Sequence, residues 1–456
     1  MWSPDLTLGE GPLYIRLVEA MTTAIKTGEL KVGDKLPAQR QLAWHLEINL
    51  STVTKAFTEA TKRHLICGEV GRGTYILAQS TEAALFNLKQ NTQNQIIDLS
   101  THVPATRPDD THLSDTLSTL LSEEHALEHY LNYLSPQLIQ RMRVASALWL
   151  NSLGFSVTPQ NCINTSCAQS ALQLVLLECC NSDDTILVDE LTFPGIKAAA
   201  KQLNLKLHGV KMDEQGITPD ALDLAIRSTN AKVLVSDPNL QNPTGRTLSK
   251  QRQKDLITII KQHKILFIEE YVIGALSEQP PISNEIKSQS ILITSFAKAV
   301  APGVRFAIVA SEHSLINKLA NEPHATTWQL SPLIAEIACR WIFDGTVKKR
   351  TLWQQAEIHR RFRLFKTLFA NNLYAQNIKV CSHVWLAVNK NADLVAKELS
   401  DLGVEVVPAS LFAVGRFCPN NIRISLTAAA SLQTLKIGLE IILHSGFMTE
   451  CSPSNE

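Results

Sequence analysis

Several features that mark other classes of protein are missing from this 456-residue sequence. No apolar run reaches about 18 residues, so we predict no transmembrane helix. The first residues lack a basic segment followed by an apolar core, so we expect no export and a cytoplasmic protein. The nine cysteines form no zinc-type CxxC pair, which favours reduced thiols and no metal site. The formal net charge is zero, so affinity for nucleic acid must come from locally placed basic residues.

The first 78 residues carry the pattern of three helices and a hairpin. Apolar residues recur at helical spacing in 13–25, and a third helix is predicted at 50–63, with Asn49 or Ser51 as its cap. A connection of three residues joins it to the second helix, which is typical of a helix-turn-helix. The glycine-rich run 65–76 predicts a two-stranded wing. Such a unit binds DNA or serves as a structural or protein-binding module.

From residue 96 onward, strand-like runs alternate with helical stretches. The predicted strands are short and apolar: 185–188, 205–210, 233–236, 265–269, 291–294 and 305–310. This alternation predicts an α/β domain with a doubly wound, mostly parallel sheet. In such sheets the ligand binds beyond the carboxyl ends of the strands.

Lys298 stands in a setting that suits covalent chemistry. It follows the predicted strand at 291–294, lies among small residues, and precedes Arg305 by seven positions. A lysine at a strand end can form an imine with an aldehyde, and a nearby arginine can pair with a phosphate. Pyridoxal 5'-phosphate carries both groups, so this run predicts a site for that cofactor.

Other motifs accompany Lys298 in a fixed order along the chain. Residues 164–170 lead into an apolar helix whose first amides can attract phosphate, and Phe193 follows a predicted strand. Next come Asn242-Pro243-Thr244-Gly245 and the acidic run 268–274. Together these motifs resemble a fold-type I, class I/II aminotransferase over residues 98–445. Residues 11–78 resemble a GntR-type winged helix-turn-helix, and the combination resembles the MocR-type branch of the GntR regulators.

The resemblance implies a role for each motif of the body. Lys298 would be the catalytic lysine, Asn242 would hydrogen-bond the phenolic oxygen of the cofactor, and Phe193 would stack on its ring. Arg423 would hold the carboxylate of an amino acid. The phosphate-binding set would consist of Arg305, Ser295, Cys167, Ala168 and Gln169.

The chain departs from the family pattern at three positions. Cys167 replaces a glycine of the phosphate loop. Glu270 stands where relatives carry an aspartate that pairs with the pyridine nitrogen, although a slip in register would place Glu269 or Tyr271 there. Ile273 replaces a tyrosine. These departures together argue against efficient turnover but not against imine formation.

For the head, the resemblance implies DNA contacts from the second helix, the start of the third helix and the wing. The expected DNA-binding residues are Arg40, Ser51, Thr52, Thr54, Lys55, Arg72 and Gly73. Leu50 replaces an arginine that many relatives carry, which removes one expected contact and leaves the base preference open.

Three functions compete on these observations. The first is a transcriptional regulator that binds operator double-stranded DNA and senses an amine or amino acid by imine exchange. The second is an active aminotransferase with an attached DNA-binding domain, and the third is a body that dimerises without cofactor. The regulator is the function we expect, in a head-to-tail swapped homodimer.

We expect four segments along the chain. These are a DNA-binding head at residues 1–78, a linker at 79–96, an effector-binding body at 97–448 and a tail at 449–456. The body is expected to include a smaller C-terminal α/β subdomain at about 345–448.

Overall fold

The computed structural model describes residues 2–6, 11–27, 29–30, 34–62, 65–69, 73–76, 96–123, 126–321 and 330–449. The chain divides into two compact units, Met1–Ala84 and Leu85–Glu456. Residues 79–95 of the predicted linker, and the wing residue Arg72, lie outside the described residues. None of the described helices is both long enough and apolar enough to span a membrane.

The N-terminal unit is a three-helix cluster with a hairpin, formed by α1 (Leu13–Thr27), α2 (Gln39–His45), α3 (Leu50–Lys62), β1 (Ile66–Glu69) and β2 (Gly73–Ile76). Helix α3 buries Val53, Ala56, Phe57 and Ala60, which recur at the three- and four-residue spacing of one helix face. Asn49 caps α3, because its side-chain oxygen accepts a hydrogen bond from the backbone amide of Ser51 at 2.9 Å. The hairpin strands are antiparallel.

The second unit alternates strands with helices. Its strands are β3 (Ile97–Asp98), β4 (Cys162–Thr165), β5 (Thr185–Asp189), β6 (Lys206–Val210), β7 (Met212–Asp213), β8 (Gly216–Ile217), β9 (Val233–Ser236), β10 (Leu266–Glu270), β11 (Ser290–Ser295), β12 (Ala307–Ala310), β13 (His383–Ala387), β14 (Val404–Glu405), β15 (Val407–Pro408) and β16 (Asn421–Ser425).

Its helices lie between these strands and beyond them. They are α4 (His112–Ser122), α5 (Ala126–His129), α6 (Pro136–Ser152), α7 (Ala168–Cys179), α8 (Pro194–Gln202), α9 (Pro219–Thr229), α10 (Lys250–His263), α11 (Phe296–Ala299), α12 (Leu315–Asn321), α13 (Pro332–Phe343), α14 (Thr346–Leu368), α15 (Leu373–Gln376), α16 (Ala392–Asp401) and α17 (Leu432–His444).

The main sheet has seven strands in the order β4-β12-β11-β10-β9-β5-β6. Strand β12 runs antiparallel to both of its neighbours, and the other six strands share one direction. Apolar clusters cover both faces, so the strands are continuous apolar runs rather than alternating ones. The doubly wound, mostly parallel sheet predicted from the alternation is therefore present, with β4 as an edge strand that the sequence pattern did not reveal.

A smaller sheet is formed by β13, β16 and β15, which pair antiparallel in that order. Its core includes Phe365, Val384, Ile424 and Leu439, all with almost no exposed surface. Strand β3 pairs in parallel with β14, which joins the chain at residue 97 to this C-terminal part. The residues that follow β3 are thereby held between the two sheets of the second unit.

Candidate functional site

Lys298 lies on the short helix α11, directly after the carboxyl end of β11. The Ser295 hydroxyl accepts a hydrogen bond from the amide of Ala297 at 3.3 Å and so caps this turn. Lys298 Nζ donates a hydrogen bond to the carbonyl oxygen of His102. Burial and the positive charges of Arg423 and Arg305 lower the pKa of Lys298 to about 8. The amine is therefore partly neutral near pH 7.5 and can act as a nucleophile.

Arg423 lies buried on β16 and contacts a second residue predicted from the sequence. Its Nη1 donates to Asn242 Oδ1 at 2.9 Å, and its Nη2 donates to the Ser100 carbonyl at 2.6 Å. Burial lowers the pKa of this guanidinium to about 10, so it stays charged at neutral pH. The fold thus brings Arg423, Asn242 and Lys298 to one edge of the main sheet.

Cys167 is the cap of α7 and lies in the predicted phosphate loop. Its sulfur accepts a hydrogen bond from the amide of Ser170 at 3.4 Å. Burial raises the pKa of the Cys167 thiol, but hydrogen bonds with Ser170 and the charge of Arg305 outweigh that effect and leave it below its usual value. Arg305 is exposed, and its positive charge acts on this loop. Ala168 and Gln169 follow Cys167 as the first turn of α7.

Phe193 and Gln169 lie over the backbone of Gly195. Gln169 Nε2 donates to the Gly195 carbonyl at 2.8 Å. A Cβ atom at Gly195 would overlap both the Phe193 ring and the Gln169 amide oxygen, so a larger residue there would displace these side chains. The predicted ring-stacking residue and the phosphate loop are thereby neighbours.

Glu269, Glu270 and Tyr271 differ in what they contact. The Glu269 carboxylate accepts hydrogen bonds from the backbone amides of Ile282 at 3.1 Å and Ser283 at 2.7 Å. The Tyr271 hydroxyl donates to the Gln279 carbonyl at 2.5 Å. Both side chains are engaged by backbone groups of residues 279–283, and Glu270 points to the opposite side of β10 from Glu269. Glu270 stays our predicted partner of the pyridine nitrogen.

Three buried carboxyl groups lie at the ends of adjacent strands. Asp189 ends β5, Asp237 follows β9, and Glu270 ends β10, in strands that are neighbours in the sheet. Ser236 Oγ donates to Asp189 at 2.8 Å. Burial raises the pKa of Asp189 and of Glu270 to about 7, and burial with both neighbouring charges raises that of Asp237 well above its usual range. Asp237 was not predicted from the sequence, although its place after a predicted strand was a usable signal.

Neither His102 nor His383 was predicted from the sequence as a residue of the site. His102 Nε2 lies 2.8 Å from Ser382 Oγ, and its ring meets that of His383 edge-on at 5.0 Å between centroids. Burial and the nearby charges of Lys298, His383 and Arg423 hold the pKa of His102 well below its usual range. Both the backbone and the imidazole of His102 therefore belong to the site.

The site contains buried polar atoms that no protein group satisfies. In the described parts of the chain, Thr192 Oγ1, Asp237 Oδ1 and Arg423 Nε have no hydrogen-bond partner. Buried polar atoms are almost always paired in folded proteins, so these atoms indicate a polar ligand. A phosphorylated, aromatic aldehyde fits a lysine, a helix N-terminus with an arginine, and an aromatic ring in this arrangement.

Most of the predicted DNA-contacting residues of the head that the structure describes are exposed. Arg40, Ser51, Thr54 and Lys55 are exposed, and Thr52 is partly exposed. Thr54 Oγ1 donates to Gln39 Oε1 at 3.0 Å, which ties α3 to the start of α2. Gly73 begins β2, and Arg72 lies outside the described residues. Whether these residues bind DNA stays a prediction.

The fold and the site define an aminotransferase-like body preceded by a winged helix-turn-helix. Residues 94–442 match the aminotransferase class I and II family, and residues 13–76 match the gntR family of bacterial regulatory proteins. The chain belongs to the class I and II aminotransferase family and carries a GntR-family head, as the MocR-type regulators do.

Relatives share this architecture over nearly the whole chain. YdeF of Bacillus subtilis, an uncharacterized HTH-type transcriptional regulator, is 27% identical over 454 residues, covering 97% of this chain and 96% of the relative. YjiR of Escherichia coli, of the same description, is 24% identical and covers 90% of this chain and 94% of the relative. Among solved structures, an archaeal alanine:glyoxylate aminotransferase has a TM-score of 0.71 at 20% identity, covering 80% of this chain and 97% of its own. That structural likeness establishes the fold of the body.

Proposed function

We propose that this protein is a DNA-binding transcriptional regulator whose body binds pyridoxal 5'-phosphate and senses an amine or amino acid. The head at residues 1–78 would bind operator DNA, and the body at 97–448 would bind the cofactor and the effector. The two matched families and the architecture of the relatives support this proposal. Operator binding also requires that the protein act in the cytoplasm.

The cofactor proposal depends on residues that the fold brings together. Lys298 would bind the aldehyde, Phe193 would lie against the ring, and the loop at Cys167 with Arg305 and Ser295 would hold the phosphate. When bound, pyridoxal phosphate supplies an electrophilic carbonyl carbon that amines attack. Asn242 would contact the phenolic oxygen, and Glu270 would face the pyridine nitrogen.

The observation that carries the sensing proposal is the set of contacts made by residues 98–105, which we call the connecting segment. It follows the predicted linker to the head. Arg423 donates to its Ser100 carbonyl and Lys298 to its His102 carbonyl. The two side chains expected to engage a ligand therefore also hold the backbone of this segment.

The remaining contacts of the connecting segment anchor its second half. Thr427 Oγ1 donates to the Val103 carbonyl at 2.6 Å, and the Gln354 amide bonds both the carbonyl and the amide of Ala105 at 2.7 and 3.0 Å. Ligand binding competes for Lys298 and Arg423 but not for Gln354 or Thr427. A ligand regulates only if it binds two arrangements of the protein with different affinities. Competition between the ligand and the connecting segment for Lys298 and Arg423 supplies such a difference.

A homodimer would bury the exposed apolar surface of the segment from α4 to α6. Leu121 is 68% exposed, Leu131 88% and Tyr133 75%. Large exposed apolar patches mark interaction sites, and we propose that these three side chains lie in the dimer interface. We propose a head-to-tail swapped dimer, in which the 18-residue linker at 79–96 crosses to the partner and two heads bind one operator.

An active aminotransferase is the competing function, and the acidic cluster argues against it. A strong electron sink requires an ionised carboxylate at the pyridine nitrogen. Burial raises the pKa of Glu270 to about 7, and burial with the charges of Glu270 and Asp189 raises that of Asp237 well above its usual range. A carboxyl group that ionises less readily is a weaker partner for the pyridine nitrogen, which supports ligand sensing over efficient turnover.

The test uses the full-length protein with pyridoxal phosphate and with random-sequence duplexes from which bound DNA is selected. We expect a visible cofactor band that is absent in Lys298→Ala, and a selected operator whose affinity changes when an amino acid is added. The Lys298→Ala protein should bind the operator without responding to the amino acid. Multiple turnovers with an amino acid and a keto acid, without any change in DNA affinity, would establish the competing function instead.

A further inference from the structure

Two adjacent cysteines stand at the end of helix α7. Cys179 is the last residue of the helix, and Cys180 follows it as the C-terminal cap with an extended backbone (φ −129°, ψ 148°). Successive side chains of a continuous helix point about 100° apart. Here the chain leaves the helix between the two residues, and Cys179 Sγ and Cys180 Sγ lie 3.7 Å apart. We call these two residues the dithiol pair.

The dithiol pair combines partial exposure with an apolar environment. Both thiols are free, and neither is fully buried. Both side chains pack at the margin of the apolar cluster that α7 forms with one face of the main sheet. A small reagent can therefore reach the sulfur atoms, and the apolar margin suits a ligand that carries an apolar substituent.

The contact between the two thiols makes them chemically unequal. Hydrogen bonding with Cys179 lowers the pKa of the Cys180 thiol, although burial opposes this effect. The same hydrogen bond, together with burial, raises the pKa of the Cys179 thiol. The thiolate is the nucleophilic form of cysteine. Cys180 is therefore the sulfur that reacts first, and Cys179 keeps its proton until a second bond forms.

The backbone disfavours a direct bond between the two sulfur atoms. The peptide bond between Cys179 and Cys180 is trans, so their Cα atoms are about 3.8 Å apart. Most disulfides join Cα atoms that are about 4.4–6.8 Å apart, so closure here would be strained. An atom that bridges the two sulfurs avoids this strain.

The number of ligands on offer limits what the bridging atom can be. A structural zinc ion takes four protein ligands. Among the residues that the structure describes, no group of three or more histidine, cysteine or carboxylate side chains is placed to hold a metal ion. The dithiol pair therefore suits a thiophilic centre that requires two sulfur atoms and no third protein ligand.

We propose that the dithiol pair binds a trivalent organoarsenical, with one pyramidal arsenic atom bridging the two sulfurs. Thiolates are soft ligands, and trivalent arsenic is a soft centre. Its bonds meet at a narrow angle, so sulfur atoms 3.7 Å apart can both bond to it, whereas a linear two-coordinate ion needs sulfurs on opposite sides. An arsenic atom with one organic substituent has two positions to exchange, which matches two thiols, while arsenite has three.

Binding of phenylarsine oxide, the probe, is a condensation. The Cys180 thiolate attacks arsenic, Cys179 follows, and two arsenic–sulfur bonds replace the bonding between arsenic and oxygen. The two thiol protons leave with that oxygen as one water molecule. Neither arsenic nor sulfur changes its oxidation state, so the step needs no oxidant or reductant.

The test is intact-mass spectrometry of the full-length protein mixed with one equivalent of phenylarsine oxide. We expect one adduct that persists in excess 2-mercaptoethanol, because a monothiol must break two bonds held at one site, and that 2,3-dimercaptopropanol releases. Cys179→Ser and Cys180→Ser should each weaken binding about 100-fold or more, the loss of an intramolecular second bond. Cys418→Ser removes an exposed thiol elsewhere and should change nothing.

The other outcomes would each contradict part of this assignment. An adduct that 2-mercaptoethanol removes from the wild-type protein, or one that stays equally tight in both serine variants of the pair, would overturn the proposal. A Cys179–Cys180 disulfide that forms in air without any arsenical would overturn it as well. Arsenite that binds as tightly as phenylarsine oxide would overturn the ligand class. All these readouts are independent of the cofactor and of DNA, so they test this inference separately from the proposed function.

Discussion

The lowered pKa of Lys298 makes a quantitative prediction about cofactor capture. Only the neutral amine attacks an aldehyde, and the pKa of Lys298 falls from 10.5 to about 8. At pH 7.5 about one quarter of the side chains are then neutral, against roughly one in a thousand for an unperturbed lysine. Lys298 should therefore capture pyridoxal phosphate at neutral pH about 200-fold faster than a lysine with an unperturbed pKa would.

The assay is a rapid-mixing measurement of cofactor absorbance between pH 7 and 11. The rate should rise about tenfold per pH unit below pH 8 and level off above it, since the neutral fraction saturates at the pKa. Butylamine measured in parallel provides the reference for an unperturbed amine, and Lys298→Ala should show no imine band. A rate that continued to rise through pH 10 would refute the lowered pKa.

Substitution of Arg423 tests the electrostatic part of this shift. After burial, Arg423 is the largest cause of the lowered pKa. Arg423→Gln removes the positive charge, so the midpoint of the rate profile should move upward towards 10.5. Arg423→Lys keeps the charge and should leave the midpoint near its wild-type position. Equal midpoints in the two variants would show that the charge of Arg423 does not contribute to the lowered pKa of Lys298.

Three further predictions concern the acidic cluster and the head. Burial raises the pKa of Glu270 above its unfolded value of 4.5 to about 7, so its contribution to stability is complete below pH 4.5 and is lost as pH rises through 7. The melting temperature of the cofactor-free protein should fall between about pH 4.5 and 7, and should fall less in Glu270→Gln; an equal fall in both would contradict this. Leu50 is 39% exposed at the start of α3, so Leu50→Arg should tighten DNA binding and steepen the salt dependence of its affinity by about one unit, unlike Leu50→Gln. Asn49→Ala removes the cap of α3 and should destabilise the head by about 1 kcal/mol, measured by thermal unfolding of the full chain; an unchanged unfolding curve would show that the cap is dispensable.

Much of the fold could be predicted because local patterns specify local structure. The strand-like runs predicted at 185–188, 233–236 and 291–294 lie within observed strands of the main sheet. Helical spacing located α1 and α3, and the position of Lys298 after a strand suggested its chemistry. Such signals depend on residues within a few positions of each other, so the linear sequence contains them.

The choice among Glu269, Glu270 and Tyr271 could not be made from the sequence. Successive residues of a strand point to opposite faces, and a slip of one position exchanges the two. Their contacts differ in the structure, because the chain after β10 brings the Ser283 amide to the Glu269 carboxylate and the Gln279 carbonyl to the Tyr271 hydroxyl. Glu270 instead lies beside Asp237, a neighbour created by the order of the strands in the sheet.

The sequence by itself determined the kinds of element, the order of the motifs, and the lysine, asparagine and arginine residues expected at the site. Only the tertiary structure decided what these residues contact. Lys298 and His102 lie far apart along the chain, as do Arg423 and Ser100, and the fold of the body brings each pair together at the connecting segment. Contacts of this kind arise from the crossing of distant chain segments, and no local pattern in the sequence records them.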